Sequence, residues 1–221
     1  MRILLDLRWM KPGYTGGIEI QSRAFLNTLL DNDRSNQITV LIPSESFFDF
    51  DFTGHPNFIF VNADGPSYFF HRLLEKLHLR HSDPATISVA GHDLHCDIAI
   101  SMAGYTHPDL QTLPTLLVVP DIQHEYFPQN FTNQELASRR HSFTTSIHNA
   151  QMICAISSFT RQTLIDKLQL PAEKIKVTPL AADPNITQPV APDVQVSVLQ
   201  KYSLNTGYLF YPALTWPHKN H

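Results

Sequence analysis

Short apolar runs alternate along this chain with stretches whose apolar residues recur every three to four positions. Residues 3–7, 38–42, 58–61, 98–101, 116–119, 152–156 and 175–177 are apolar almost throughout. Strands covered on both faces of a parallel sheet have that texture, whereas half-exposed strands alternate. Between the first two runs, Ile18, Phe25, Leu26, Leu29 and Leu30 fall on one stripe and predict a helix over 17–31. Thr132 followed three residues later by Glu135 is a capping-box signature and opens a helix reaching about residue 149. A further helix is predicted from Ser157 or Ser158 to about Leu168. Strands alternating with helices give an α/β chain with a Rossmann-like, doubly wound parallel sheet.

Beyond Leu180 the texture changes. The stretch "AADPNITQPVAPD" holds three prolines among small and polar residues and reads as a linker. The expected organisation is a first domain over 1–183, a linker over 184–192 and the start of a second domain over 193–221. In that second part a helix is predicted over 194–203, then a buried strand over 208–211, "YLFY".

Composition narrows the function classes. Hydrophobic content of 43% and charged content of 16% suit a soluble globular protein, and a formal charge of −4 argues against binding nucleic acid through its phosphates. Two cysteines, Cys96 and Cys154, are too few for a disulfide framework and point to a reducing cytosol. The start "MRILLDLRW" lacks the pattern of a signal peptide, and no apolar run reaches bilayer-spanning length. A basic amphipathic stretch around Arg72 to Arg80 raises a peripheral contact with the inner face of a membrane. Its other reading is a solvated basic helix face. His92, His95 and Cys96 lie close together, but without a second ligand pair they fall short of a zinc signature.

Two stretches carry candidate chemistry. The first strand runs into "RWMKPGYTGGIEIQ", a glycine loop opening a helix. Glycines permit close backbone approach, and a helix start offers unpaired amides and a favourable dipole to an anion. Its G-x-x-G-G spacing departs from the G-x-G-x-x-G of dinucleotide sites, which disfavours a nicotinamide cofactor. Gly16 and Gly17 otherwise serve only a tight turn. The second stretch is "LLVVPDIQHEYFPQNF", a buried strand ending at Asp121 and His124, where open α/β sheets bind ligands. Here His124 can exchange a proton or meet a sugar hydroxyl, and Asp121 can orient a polar substrate. The plainer alternative makes Asp121 a loop cap and His124 a solvated surface residue.

"TGGIE", "PDIQHEYFP", "ICAISSFTRQTLIDKL" and "LFYPALTWPHKNH", in this order and spacing, resemble family 4 of the retaining glycosyltransferases across essentially the whole chain. That resemblance implies the GT-B architecture, two Rossmann-like domains facing each other across a cleft. It implies that this chain is the acceptor-binding half with a stub of the donor-binding half, inactive by itself. Gly16 and Gly17 match the loop beside the donor phosphates and transferred sugar, Lys219 matches a basic residue at the donor diphosphate, and Ser157 matches a helix-starting serine expected to cap. Two positions depart from the family pattern. Pro120 stands where many members have a histidine, which His124 then replaces, and "PALTW" lacks the arginine that often accompanies the lysine. The paired glutamates at E-x7-E spacing would lie beyond His221. The expected activity is a hexosyltransferase of polysaccharide biosynthesis. It moves sugar from a nucleotide-sugar to a glycan or lipid-linked glycan hydroxyl with retention, using no metal and no other cofactor. The rivals are a non-catalytic glycan- or partner-binding module and a nucleotide-sugar epimerase.

Overall fold

The computed structural model describes residues 1–51, 53–63, 86–89, 92–181, 188–205 and 207–211. They fall in two compact units, Met1–Leu180 and Ala181–His221. The first unit is built on a seven-stranded, wholly parallel sheet. Its strands are β1 (Arg2–Asp6), β2 (Gln37–Ile42), β3 (Phe58–Asn62), β6 (Ile98–Ser101), β7 (Thr115–Val119), β8 (Met152–Ala155) and β9 (Ile175–Val177). A separate antiparallel pair, β4 (Thr86–Val89) with β5 (His92–His95), was not anticipated from the sequence. The helices of this unit are α1 (Gly17–Asn32), the single turn α2 (Gln123–Tyr126), α3 (Asn133–Asn149) and α4 (Ser158–Leu168). The Rossmann-like, doubly wound α/β reading of the sequence therefore holds.

Burial explains the unbroken apolar runs. Leu5, Val40, Ile42, Val118 and Cys154 pack on one side of the sheet with Leu26 and Leu30 of α1. Their strand neighbours Leu4, Leu41 and Ala99 fall in a second cluster, and Leu117, Val119, Ile153 and Ala155 in a third with Phe143, Ile147 and Leu164. Successive side chains point to opposite faces, and here both faces are covered. Phe50, beyond β2, packs into the first of these clusters.

Strand order is β3-β2-β1-β6-β7-β8-β9, so the chain changes direction across the sheet between β1 and β6. Ligands of open α/β sheets bind outside the strand carboxyl ends at such a switch point. Here a buried ion network bridges it. The Arg8 guanidinium, just past β1, makes two-point contacts with Asp6, at 2.8 and 2.9 Å, and with Asp109, at 2.7 and 3.0 Å. His107 Nδ1 lies 2.6 Å from the Asp109 carboxylate. Burial works against the charge of Arg8, but Asp6 and Asp109 outweigh it and hold the guanidinium protonated. Burial likewise pushes the Asp109 carboxyl up, yet hydrogen bonds from His107 and Arg8 bring it down to about 2.

In the second unit, α5 (Pro192–Lys201) forms with proline in its first turn. The expected buried strand over 208–211 does not form. Tyr208, Leu209, Phe210 and Tyr211 are exposed, and among the described residues this unit supplies no second strand for a ladder. An apolar aromatic run becomes a strand only when its backbone groups meet a neighbour.

Removing Arg8 leaves the buried Asp6 carboxylate and the partly buried Asp109 carboxylate without their shared cation. Arg8→Met is expected to cost about 3–5 kcal/mol of unfolding free energy, measured by denaturant titration near neutral pH. Asp109 is depressed in the fold, so its contribution is present above pH 4 and fades as pH falls toward 2. A variant stability unchanged within error at neutral pH would show that the network bears no load.

Candidate functional site

Four loops leave the carboxyl ends of β1, β6, β7 and β8, and they place the candidate residues. After β1, the glycine loop turns into α1 with Gly16 as N-cap at φ 64° and ψ −140°, a backbone region open essentially to glycine. No side chain caps this helix. A Cβ built on Gly17 would meet nothing within 4 Å, so the helix start stands open to an approaching group. Glu19 pins the loop from within. Its buried carboxylate accepts from the Gly13 amide at 3.1 Å, the Thr15 hydroxyl at 3.0 Å and Arg23 Nε at 3.0 Å. The acidic residue of "TGGIE" is thus committed to loop structure.

The loops after β6 and β7 line a cleft of about 610 Å³, together with one face of α3. Gly104 and Tyr105 come from the first loop and Pro120, Asp121, Gln123 and His124 from the second, while α3 supplies Gln134, Glu135, Ser138, Arg139, Ser142 and Phe143. Gly104 sits at φ 74°, and a Cβ there would touch Pro120 and Phe143, so the two walls close tightly at that point. Asp121 and His124 are brought together here, as the sequence suggested. The contributions of α3 and of the Gly104 loop went unpredicted, because only tertiary packing brings these segments together. Lys219 and the stretch around Arg72 to Arg80 lie outside the described residues.

Each candidate has a local account. One Asp121 carboxylate oxygen accepts from the Gln123 amide at 3.0 Å, which starts α2, so the capping reading of Asp121 is present alongside its position in the cleft. His124 is not a solvated surface residue. It is only 6% exposed and packs edge-on against Phe143, ring centroids 5.1 Å apart. Its Nε2 is buried with no hydrogen-bond partner and lies 3.7 Å from Glu125. Burial pushes the imidazole below its ordinary pKa, with Glu125 opposing and Arg139 assisting. The ring is therefore neutral at physiological pH.

The surrounding polar groups are mostly spent on structure. Glu125 is clasped by Arg140 at 2.8 and 2.9 Å. Glu135 accepts from the Thr132 amide and hydroxyl in the predicted capping box. Ser157 caps α4 by accepting from the Thr160 amide at 3.0 Å, and the Thr160 hydroxyl donates to the Pro120 carbonyl at 3.0 Å. Ser157 is thus a cap, as expected. Among the described residues, no group of three or more His, Cys, Asp or Glu side chains is arranged to hold a metal ion.

No protein-family model matches the chain, and no curated protein does. Solved structures do match. Crystal structures of Alr3699/HepE from Anabaena, in complex with UDP and glucose and with UDP-glucose, superpose with TM-scores of 0.52 at 16% identity, covering 91% and 92% of this chain. The same protein in complex with UDP gives 0.50 at 14% identity, over 91% of this chain. In all three this chain spans 50% of the matched chain, half its length. The likeness is one of fold.

The buried neutral histidine has a consequence for stability. A histidine depressed in the fold stabilises it above its ordinary value of 6.5, and that contribution is lost as pH falls through the lower folded value. The stability advantage of the wild type over His124→Gln is expected to shrink from pH 7.5 to pH 5, measured by denaturant unfolding. An advantage that stays constant would mean the ring titrates as it does in water.

Proposed function

We propose that this chain is the acceptor-side half of a two-domain glycosyltransferase of the GT-B plan, acting on a nucleotide-sugar. The observation that carries this is the cleft beside His124, at the carboxyl ends of the central strands. It occurs on a fold shared with a protein crystallised with UDP-glucose. UDP-glucose is accordingly the first donor to test, and a hexosyl group the sugar expected to move. On this reading the product keeps the donor's anomeric configuration, and the acceptor is a hydroxyl of a glycan or lipid-linked glycan.

The chemistry follows from the residues. In such a transfer negative charge grows on the departing diphosphate, and donors fixed in advance toward it lower the barrier. The open helix start at Gly16 and Gly17 offers such amides, and Lys219 an ammonium. The neutral His124 meets a sugar hydroxyl and Asp121 orients one, so that acceptor and donor are held in line. Neither a nicotinamide nor a metal ion takes part in this scheme. No helix among the described residues is long and apolar enough to cross a membrane. A lipid-linked acceptor would be met by peripheral contact at the cytoplasmic face, through the stretch around Arg72 to Arg80.

Protein expressed from the complete gene is expected to release nucleotide diphosphate from UDP-glucose or another nucleotide-sugar only when acceptor is present. Proton NMR of the product should show retention. The gene should continue past the codon for His221 by about a domain's length and encode two glutamates at E-x7-E spacing. Residues 1–221 alone should show negligible turnover, and robust transfer by them would defeat the reading. In the complete protein His124→Ala is expected to lower turnover about a hundredfold, within the range for one positioned catalytic group, with a cooperative melting transition retained at a lower temperature. Near-normal turnover would move the role to Asp121 or elsewhere.

A further inference from the structure

The surroundings of His124 hold a feature that the transfer scheme does not use. Its Nε2 is sealed from solvent without a hydrogen-bond partner, and the Glu125 carboxylate lies 3.7 Å from it. Glu125 is itself held at both oxygens by Arg140 from α3. The imidazole plane stands nearly perpendicular to the Phe143 ring, at 77°, so the two rings meet edge to face.

A neutral imidazole has one N–H to place. The tautomer is chosen by what each nitrogen faces, and an N–H dipole aimed at a carboxylate is favoured over a lone pair aimed at it. Four charged groups face this ring: Asp121 and Glu125 from its own segment, Arg139 and Arg140 from α3, with Glu125 the strongest of them. Nε2 looks toward Glu125, so it keeps the proton. Nδ1 is then left to the cleft as a lone pair.

We propose that Glu125, oriented by Arg140, is a positioning residue that fixes the Nε2–H tautomer of His124 and presents Nδ1 to the cleft as a hydrogen-bond acceptor. The ligand group met there must bring its own proton. A hydroxyl does so, whereas an ionised carboxylate or a phosphodiester oxygen has none to give. The inner end of the cleft is therefore a hydroxyl site. This rests on the proposed function only in taking the cleft as the substrate site; the tautomer is a property of the free protein.

The test uses the 221-residue chain with 15N-labelled histidine and long-range proton–nitrogen NMR. The His124 resonances are assigned by their loss in His124→Gln. The wild type is expected to show the Nε2–H tautomer at pH 7.5. Glu125→Gln should move the His124 midpoint down by about one pH unit and populate the Nδ1–H form, as expected for losing one charge a few ångströms away. Arg140→Gln should move it up, because a cation is lost and Glu125 is freed. Glu125→Asp should retain the Nε2–H tautomer. Adding sulfate, an anion with no proton to give at this pH, should leave the Nδ1 resonance unmoved, and protonation of the ring in its presence would overturn the hydroxyl assignment. An Nδ1–H wild type overturns the proposal, as do shifts absent in both variants or equal in sign. A general loosening of the fold cannot move the two midpoints in opposite directions. If Glu125→Gln does not fold, the wild-type tautomer and its retention in Glu125→Asp carry the test. Since no substrate is present in the tautomer measurement, its failure stays separate from failure of the transferase reading, which diphosphate release decides.

Discussion

The Arg8 network ties the loop after β1 to the segment after β6, just past the point where these two strands stop pairing. Strands β1 and β6 are in register from Ile3–Ile98 to Asp6–Ser101. The direction of the chain across the sheet reverses at this seam, so a crevice must open there. Arg8 closes its floor by joining Asp6 on one side to Asp109 on the other, with 11% of its side chain exposed. A guanidinium is suited to this because its planar fork meets two carboxylates at once. The arrangement is stable only when complete, since each buried charge depends on its neighbours for the solvation it has lost.

The same economy governs the acidic groups nearby. Glu19 is taken by loop amides and Arg23, Glu125 by Arg140, Glu135 by its capping box, and Asp6 and Asp109 by Arg8. Five carboxylates near the strand ends thus serve folding first. What the cleft itself presents is mainly uncharged: an imidazole, serine hydroxyls, side-chain amides and a phenol, beside Asp121, Arg139 and the capping-box Glu135. Burial and the charge of Asp6 push the Tyr105 phenol up, which keeps it neutral as well. A surface of this kind reads hydroxyl patterns better than net charge, because uncharged donors and acceptors discriminate by direction.

The sequence made the strands and long helices legible because their signals are local. A run of apolar residues, a Thr-x-x-Glu box and a serine before a helix act over a few residues, and each led to the element found at 115–119, 133–149 and 158–168. The failures share one cause. The run at 208–211 has strand composition, but composition does not supply a neighbouring ladder. Asp6 and Asp109 stand 103 positions apart, and nothing in either neighbourhood marks them as sharing one arginine. His124 was visible as a candidate, yet its burial depends on Phe143, nineteen positions onward in a helix whose packing only the fold determines.

The segment bearing Asp121 and His124 has no regular structure beyond one helical turn, and it is nonetheless held from three directions. The Thr160 hydroxyl fixes the Pro120 carbonyl, Arg140 fixes Glu125, and the Lys167 ammonium lies 5.0 Å from the centre of the Tyr126 ring. Two of these anchors come from α4 and one from α3, helices that are themselves seated on β7 and β8 through Phe143, Ile147 and Leu164. The conformational entropy of ordering the segment is therefore lost on folding and need not be lost again on binding. The glycine loop after β1 is built differently, with an open helix start and Glu19 as its internal brace. A rigid wall and an open loop are complementary devices: the first is ordered before any group enters the crevice, and the second leaves space at its helix start.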